Sequence, residues 1–314
     1  MSSAAEEGAA AELAEADVCC ANCGAAEVDD IKLEDCGGCD LVKYCRDKKC
    51  REEHREVHEE ECKRRQADLH DRKLFTQPDK THLGECPVCF LPMPLNDKEY
   101  VCLPCCSKLV CNGCIIANIR SIKNDCGDWS KARRCILCRE PALMEDEDDD
   151  WSRSKVMKRV KANDPAALCF EGNIRYKRGE YQSAFENFTK AAELGDLHAH
   201  YKLGLMYEYG EGVEKDENKS IYHWEKAAIG GHPRARNGLA LIEARNGNME
   251  RSVKHLIIGA NLGDEYSMKV LWAEFKDGNI TKEDLDATLR SHQAAVNAMK
   301  SEQRDYAAKN YRNN

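Results

Sequence analysis

The cysteines constrain this chain more than any other feature. Of 19 in 314 residues, 18 lie between Cys19 and Cys138, several in pairs two residues apart. A two-residue gap lets one tight turn aim two thiolates at a tetrahedral ion, so this half must fold around cross-links rather than a large apolar core. The cross-links are metal or disulfide. No basic segment followed by an apolar one opens the sequence, as a secretory leader would, so the expectation is an intracellular protein, cytoplasmic or nuclear, whose thiols hold zinc.

The first cluster reads Cys20-x2-Cys23-x12-Cys36-x2-Cys39-x5-Cys45-x4-Cys50-x7-His58-x3-Cys62. Eight candidate ligands make two complete zinc sites. His58 and Cys62 are four apart, so a helix from about Arg51 would carry both on one face. The pattern, with its Tyr44-Cys45 step and its Cys50-x7-His58-x3-Cys62 ending, resembles a MYND zinc finger. That resemblance implies interleaved sites, one from Cys20, Cys23, Cys45 and Cys50 and the other from Cys36, Cys39, His58 and Cys62. Zinc would supply most of the folding energy of so small a module, about 10–16 kcal/mol for a structural site. The Cys45–Cys50 interval is one residue longer than is usual in that family. Arg51 and Arg55 stand where its proline-peptide binders have Gln and Trp. His54 is either a replacement ligand or a surface histidine, and Cys19 is a spare thiol unless the register shifts.

The second cluster begins at Cys86-Pro-Val-Cys89, passes Cys102, Cys105 and Cys106, and continues through Cys111-Asn-Gly-Cys114 to Cys135-Ile-Leu-Cys138. The order resembles a RING domain with two interleaved zinc sites. Lys108 stands where many such domains have a histidine ligand, and an ammonium has no lone pair to give. Cys105 or Cys102 would then complete a site with Cys106, Cys135 and Cys138, Cys105 being preferred, so the module holds two zinc ions if one of them does and one if it stays half-closed. By resemblance, Val88 and Arg139 would contact a ubiquitin-conjugating enzyme and its ubiquitin, whose orientation is the catalysis of such ligases. Ile136 replaces the proline common after the seventh ligand. The alternative is a zinc-stapled interaction domain without ligase activity.

Net charge is −9, and residues 1–17 carry five acids without a Lys or Arg, which disfavours a general grip on phosphates; nucleic acid is not an expected partner. No apolar run approaches the ~18 residues of a membrane span. Six acids, Glu145 to Asp150, read as a solvated linker or a dock for a basic partner, with Trp151 available to anchor the helix that follows.

Beyond them the sequence repeats: Asp164 to Gly195, Asp196 to Gly231 and His232 to Gly263, of 32, 36 and 32 residues, then a divergent unit from Asp264. Small residues recur at Ala167, Ala199, Ala235 and Ser267, and again at Ala184, Ser220 and Ser252, where paired helices could approach closely. Each unit reads as two antiparallel helices that stack on their neighbours. The middle one, with Leu203-Gly204-x2-Tyr207, Gly210-Glu-Gly-Val213 and Trp224-x2-Ala227-Ala228, resembles a Sel-1-like repeat, a relative of the tetratricopeptide repeat. Asp164-Pro165 and Thr281-Lys-Glu-Asp284 are helix starts. By resemblance the array is a protein-binding scaffold. His198, His200, His223, His232 and His255 lack metal spacing and are assigned to packing or surface.

The expected architecture is mainly α: two small zinc-stabilised modules followed by an α-solenoid. Its parts are a disordered tail at 1–17, a MYND-like finger and helix at 18–72, a linker at 73–83, a RING-like domain at 84–142, an acidic linker at 143–153, and repeats with a C-terminal cap at 154–314. Two functions follow, an intracellular adaptor that binds proteins and a RING-type ubiquitin ligase whose other modules select substrate. A methyltransferase, which some MYND fingers accompany, has no domain left here to house it. Cys169 with a helix histidine lacks the orienting and oxyanion groups of a thiol hydrolase.

Overall fold

The computed structural model describes residues 20–21, 33–36, 39, 42–45, 48–126, 134–140 and 149–310, without the side chains of 45, 48, 51, 55, 56, 123–126 and 149–151. The tail, Cys19, Cys23, the side chains of Cys45, Arg51, Arg55, Cys126 and Trp151, and those of the whole acidic run lie outside the described residues. Two compact units divide the chain at Leu74 and Phe75.

The first unit holds an antiparallel pair, β1 (Leu33–Asp35) and β2 (Lys43–Cys45), in which Leu33 faces Cys45 and Glu34 faces Tyr44. Helix α1 (Lys48–Phe75) follows. Its apolar content is low. It is built from Lys, Arg and Glu, which are good helix formers, with spaced pairs such as Glu59–Lys63 at 2.7 Å, and neither Gly nor Pro interrupts it before Pro78.

In the second unit β3 (Tyr100–Leu103) and β4 (Lys108–Cys111) form a hairpin, and α2 (Asn112–Cys126) leaves directly from β4. Helix α3 (Asp149–Lys161) leads into the repeats. These are α4 (Pro165–Lys177) with α5 (Tyr181–Glu193), α6 (Leu197–Tyr209) with α7 (Glu217–Ile229), and α8 (Pro233–Arg245) with α9 (Met249–Asn261). Helices α10 (Glu265–Lys276), α11 (Lys282–Ala298) and α12 (Glu302–Asn310) complete the described chain.

The first residue of each repeat caps its helix. Carboxylates of Asp164, Asp196 and Asp264 accept backbone N–H groups of Ala167, Ala199 and Ser267 at 3.0, 2.7 and 2.8 Å, and His232 takes the same role through Nδ1 toward Ala235 at 3.3 Å. Thr281 caps α11 at 3.1 Å from the Asp284 N–H, but the Asp284 carboxylate accepts the Thr281 hydroxyl rather than reaching back to its backbone. The recurring small residues are all buried at helix contacts. At Gly204 a methyl group would sit 2.3 Å from the Trp224 indole, so α6 lacks a side chain where Trp224 of α7 lies across it. Leu168, Phe188, Leu203 and Met206 form one core cluster and Leu256, Met268, Leu271 and Leu285 another, each side chain worth about 1.5–3 kcal/mol of burial.

Residues 75–82, expected to link modules, lie along the repeats. The Phe75 ring is 4.7 Å from His255 and beneath the Arg251 guanidinium at 4.8 Å. Gln77 accepts from Asn261 at 3.2 Å, and the His82 N–H donates to Gly231 O at 3.0 Å. Gly231 is left-handed, with φ +83°, and a Cβ there would meet Lys80 O at 2.3 Å. Glycine at this repeat turn thus satisfies both the backbone conformation and the approach of the crossing segment.

Candidate functional site

In the first unit Cys36 and Cys39 meet His58 and Cys62 of α1, with one ligand atom of each within 4.8 Å of the others. Cys36 Sγ lies 3.6 Å from Cys62 Sγ, and Cys39 Sγ lies 3.2 Å from His58 Nε2. The one-turn spacing of His58 and Cys62 puts both on the helix face toward the pair. Desolvation and the thiols of Cys36 and Cys39 push Cys62 up to about 11, so this thiol gives up its proton readily only beside a cation. Cys20 and Cys50, assigned to the other site, are buried together beside Tyr44. Their partners Cys23 and the Cys45 side chain lie outside the described residues. His54 is in neither role weighed for it: its Nδ1 is 3.0 Å from the Tyr44 hydroxyl and its ring stacks on His58.

The second unit brings together two all-cysteine quartets, Cys86, Cys89, Cys111 and Cys114, and Cys105, Cys106, Cys135 and Cys138. The pairs alternate along the chain, so each quartet spans the other. Two turns share one construction. Cys86 O accepts the Phe90 N–H at 2.9 Å and Cys135 O accepts the Arg139 N–H at 3.0 Å. Phe90 and Arg139 are both left-handed, with φ 57° and 62°. This folds each peptide back so that amide N–H groups surround the first sulfur. Burial opposes ionisation of Cys86, but N–H groups of Cys111, Cys89 and Val88 outweigh it and bring its thiol down to about 7.

The hairpin fixes the other quartet. Cys105 and Cys106 occupy its turn, with Cys106 N–H and Ser107 N–H both donating to Leu103 O. Cys106 Sγ is 4.0 Å from Cys135 Sγ and Cys105 Sγ is 3.4 Å from Cys138 Sγ. Cys102 lies three residues before Cys105, in β3 opposite Leu109 of β4, and lines a cavity instead. Burial raises its thiol to about 11. Lys108 is exposed in β4 and belongs to neither quartet. Of the residues assigned to conjugating-enzyme contact, Arg139 is exposed, whereas Val88 is half-buried against the core of the first quartet.

That cavity, of about 570 Å³, also contains the three histidines His82, His198 and His232. One ring nitrogen from each lies within 4.8 Å of the others. Sequence spacing missed the group because His82 comes from outside the repeats. Its geometry suits a stack better than a metal. His82 and His232 are 3.8 Å apart and nearly parallel, Tyr201 stacks on His232 at 4.4 Å, and lone pairs of stacked rings do not converge on one ion. His232 Nδ1 accepts from Ala235, so Nε2 carries the proton and donates to His198 Nδ1 at 3.1 Å. Desolvation is the leading cause that lowers all three, His82 to about 4, His198 to about 3 and His232 well below the ordinary range. The same cavity holds Cys169, whose thiol is pushed well up by burial and by Asp196, the opposite of an activated nucleophile.

Comparison with known proteins adds family names to parts of this geometry. Residues 20–62 match the MYND finger, and residues 166–196 and 197–232 match the Sel1 repeat. The ERAD-associated E3 ubiquitin-protein ligase component HRD3A of Arabidopsis thaliana is 36% identical over 76 residues, 24% of this chain and 11% of that protein. DAP3-binding cell death enhancer 1 of Rattus norvegicus is 40% identical over 55 residues, 18% of this chain and 11% of that protein. The chain therefore spans about a tenth of the length of these curated relatives. A Sel1 repeat protein from Oxalobacter formigenes aligns at 28% identity and a TM-score of 0.42, covering 48% of this chain and 65% of that one. The chain is thus a mainly helical repeat protein with a zinc-binding MYND finger near its N-terminus. Among the described residues no helix is long and apolar enough to cross a membrane.

Proposed function

We propose that this protein is a zinc-stabilised adaptor that joins other proteins through its finger and its repeat helices. The observation that carries the reading is the set of large apolar side chains left exposed on α6, α7, α8 and α10, Tyr209 (65%), Tyr222 (52%), Leu241 (55%) and Trp272 (44%). Tyr and Trp are the residues that anchor protein interfaces. Zinc would occupy both quartets of the second unit, Cys86, Cys89, Cys111 and Cys114 and Cys105, Cys106, Cys135 and Cys138, and two sites in the finger. Cross-linking mass spectrometry of the full chain in cell extract tests the adaptor: bound proteins should cross-link beside Tyr222 and Trp272 and be lost on Tyr222→Asp with Trp272→Asp. Cross-links unaffected by these changes would defeat it.

A second reading, a RING-type ubiquitin ligase, is favoured by the alternating quartets and agrees with the Arabidopsis relative being a ubiquitin-protein ligase component. Here Val88 and Arg139 would meet the conjugating enzyme. Ubiquitin discharge from a panel of loaded conjugating enzymes decides between the readings. Acceleration lost in zinc-replete Val88→Ala and Arg139→Ala variants would make the protein a ligase, and no acceleration across the panel would leave the adaptor.

A further inference from the structure

Arg304 of α12 is the buried charge that the repeat architecture leaves unexplained. It is 8% exposed and, among the described residues, makes no ion pair with a carboxylate. Its guanidinium instead reaches the first cysteine turn of the second unit. Nη1 donates to Pro92 O at 2.7 Å and to Met299 O at 2.6 Å, and Nη2 donates to Cys89 Sγ and Leu91 O, both at 3.4 Å. A buried cation without a counter-charge is costly, and an apolar side chain would suit a purely structural contact better.

The missing counter-charge is supplied by chemistry at the quartet. Four thiolates around a dication leave two negative charges to be balanced by outer donors. Arg304 is placed to balance one. The backbone of its helix is held equally closely. A Cβ at Gly113 would lie 2.8 Å from Arg304 N and 2.9 Å from Gln303 C, so glycine between Cys111 and Cys114 is what lets α12 seat on α2. Farther along, the Arg120 guanidinium stacks 4.2 Å above the Tyr306 ring. Metal ligands and helix seat thus share one four-residue motif.

We infer that Arg304 is the outer counter-charge of the metal held by Cys86, Cys89, Cys111 and Cys114, so that occupancy of this site and docking of α12 on α2 are one coupled equilibrium. The inference rests on reading the quartet as a metal site. Coupling is reciprocal: whatever factor docking adds to metal retention, metal adds to docking. Arg304 is a positioning residue and touches no reaction.

The test uses the full chain with its zinc. Native mass spectrometry first counts ions. Transfer of zinc to a chromophoric chelator is then followed while hydrogen exchange reports on residues 112–120 and 302–310. In the wild type, exchange in 302–310 should accelerate only as metal leaves. Arg304→Gln should release one ion roughly 10–100-fold faster, the usual size of an outer-shell effect, and Arg304→Lys should fall between. Gly113→Ala, which alters no ligand and no charge, should speed the same ion's release by unseating α12. If native spectra show no metal in the second unit, the metal reading fails and the inference with it. If metal is present but release and exchange in 302–310 are unchanged in both Arg304→Gln and Gly113→Ala, the metal reading stands and the coupling is overturned.

Discussion

Cys105 Sγ lies 3.4 Å from Cys138 Sγ, across 33 residues of sequence, while Cys102 in the same hairpin faces the histidine cavity. The difference follows from the turn: Cys105 and Cys106 are adjacent at the tip, and Cys102 is committed to the β3 ladder opposite Leu109. Cys105→Ser should therefore reduce zinc content by one ion per chain. Cys102→Ser should leave it unchanged, as elemental analysis against protein concentration would show. Equal loss in both would contradict the assignment.

Acid should weaken the second unit through its histidine stack. The ordinary histidine value is 6.5, and His82 and His198 are lowered to about 4 and about 3 in the fold. Between these limits the unfolded chain binds protons that the folded chain refuses. Stability is then full above about pH 6.5 and falls as pH drops toward 4, by up to about 1.4 kcal/mol per unit for each histidine. Beyond the stacked rings, the charges that face them are Arg234 and Lys202, which deepen the effect. Denaturant titrations across this range should show a shallower slope for His82→Phe than for the wild type. Cysteine protonation at the metal sites contributes equally to both proteins and cancels in the comparison.

Metal withdrawal should act unevenly. Chelation should collapse the segment around Cys36, Cys39, His58 and Cys62, whose described core contains little beyond Cys20, Tyr44 and Cys50. The repeats have apolar cores of their own and should keep their helical circular dichroism. A chelator that abolished the helical signal altogether would refute this division.

Gly204→Ala should cost about 1–3 kcal/mol, because its methyl group would enter the Trp224 indole and neither helix can withdraw without opening the Ser220 hydroxyl bond to Gly204 O at 2.8 Å. Gly247→Ala makes a control for steric crowding, since nothing lies within 4 Å of a Cβ there, although its φ of +81° carries its own strain. Thermal unfolding of the two variants would separate crowding from backbone strain.

The sequence was informative where the physics is local. Asp164, Asp196 and Asp264 cap their helices by accepting the N–H three residues ahead, and His58 and Cys62 share a helix face, all within a few residues of what they act on, while Ala199 and Ser220 were legible because they recur with the repeat. Arg304 was illegible because its acceptor at Pro92 is 212 residues away and arginine near a C-terminus has many uses. His82 failed for a related reason. It sits in a charged stretch that composition marks as a linker, and only the fold reveals that His198 and His232, 34 residues apart, meet a third ring there. His54 shows the limit of spacing even locally, since a tyrosine ten residues back in the chain took it as a partner.

The stretch from Phe75 to His82 works as a splint. It is bound at His255, Asn261, Gly231 and His232, running against the chain direction of the repeats it crosses. A repeat array excised at residue 154 would be missing one of its own surfaces. The fully buried ring of His232 would open to water, and the Gly231 turn would lose the backbone it is shaped to receive. The indivisible piece of this protein thus begins some ninety residues before its first repeat, and dissecting it by motif would cut through the joint that keeps the array closed.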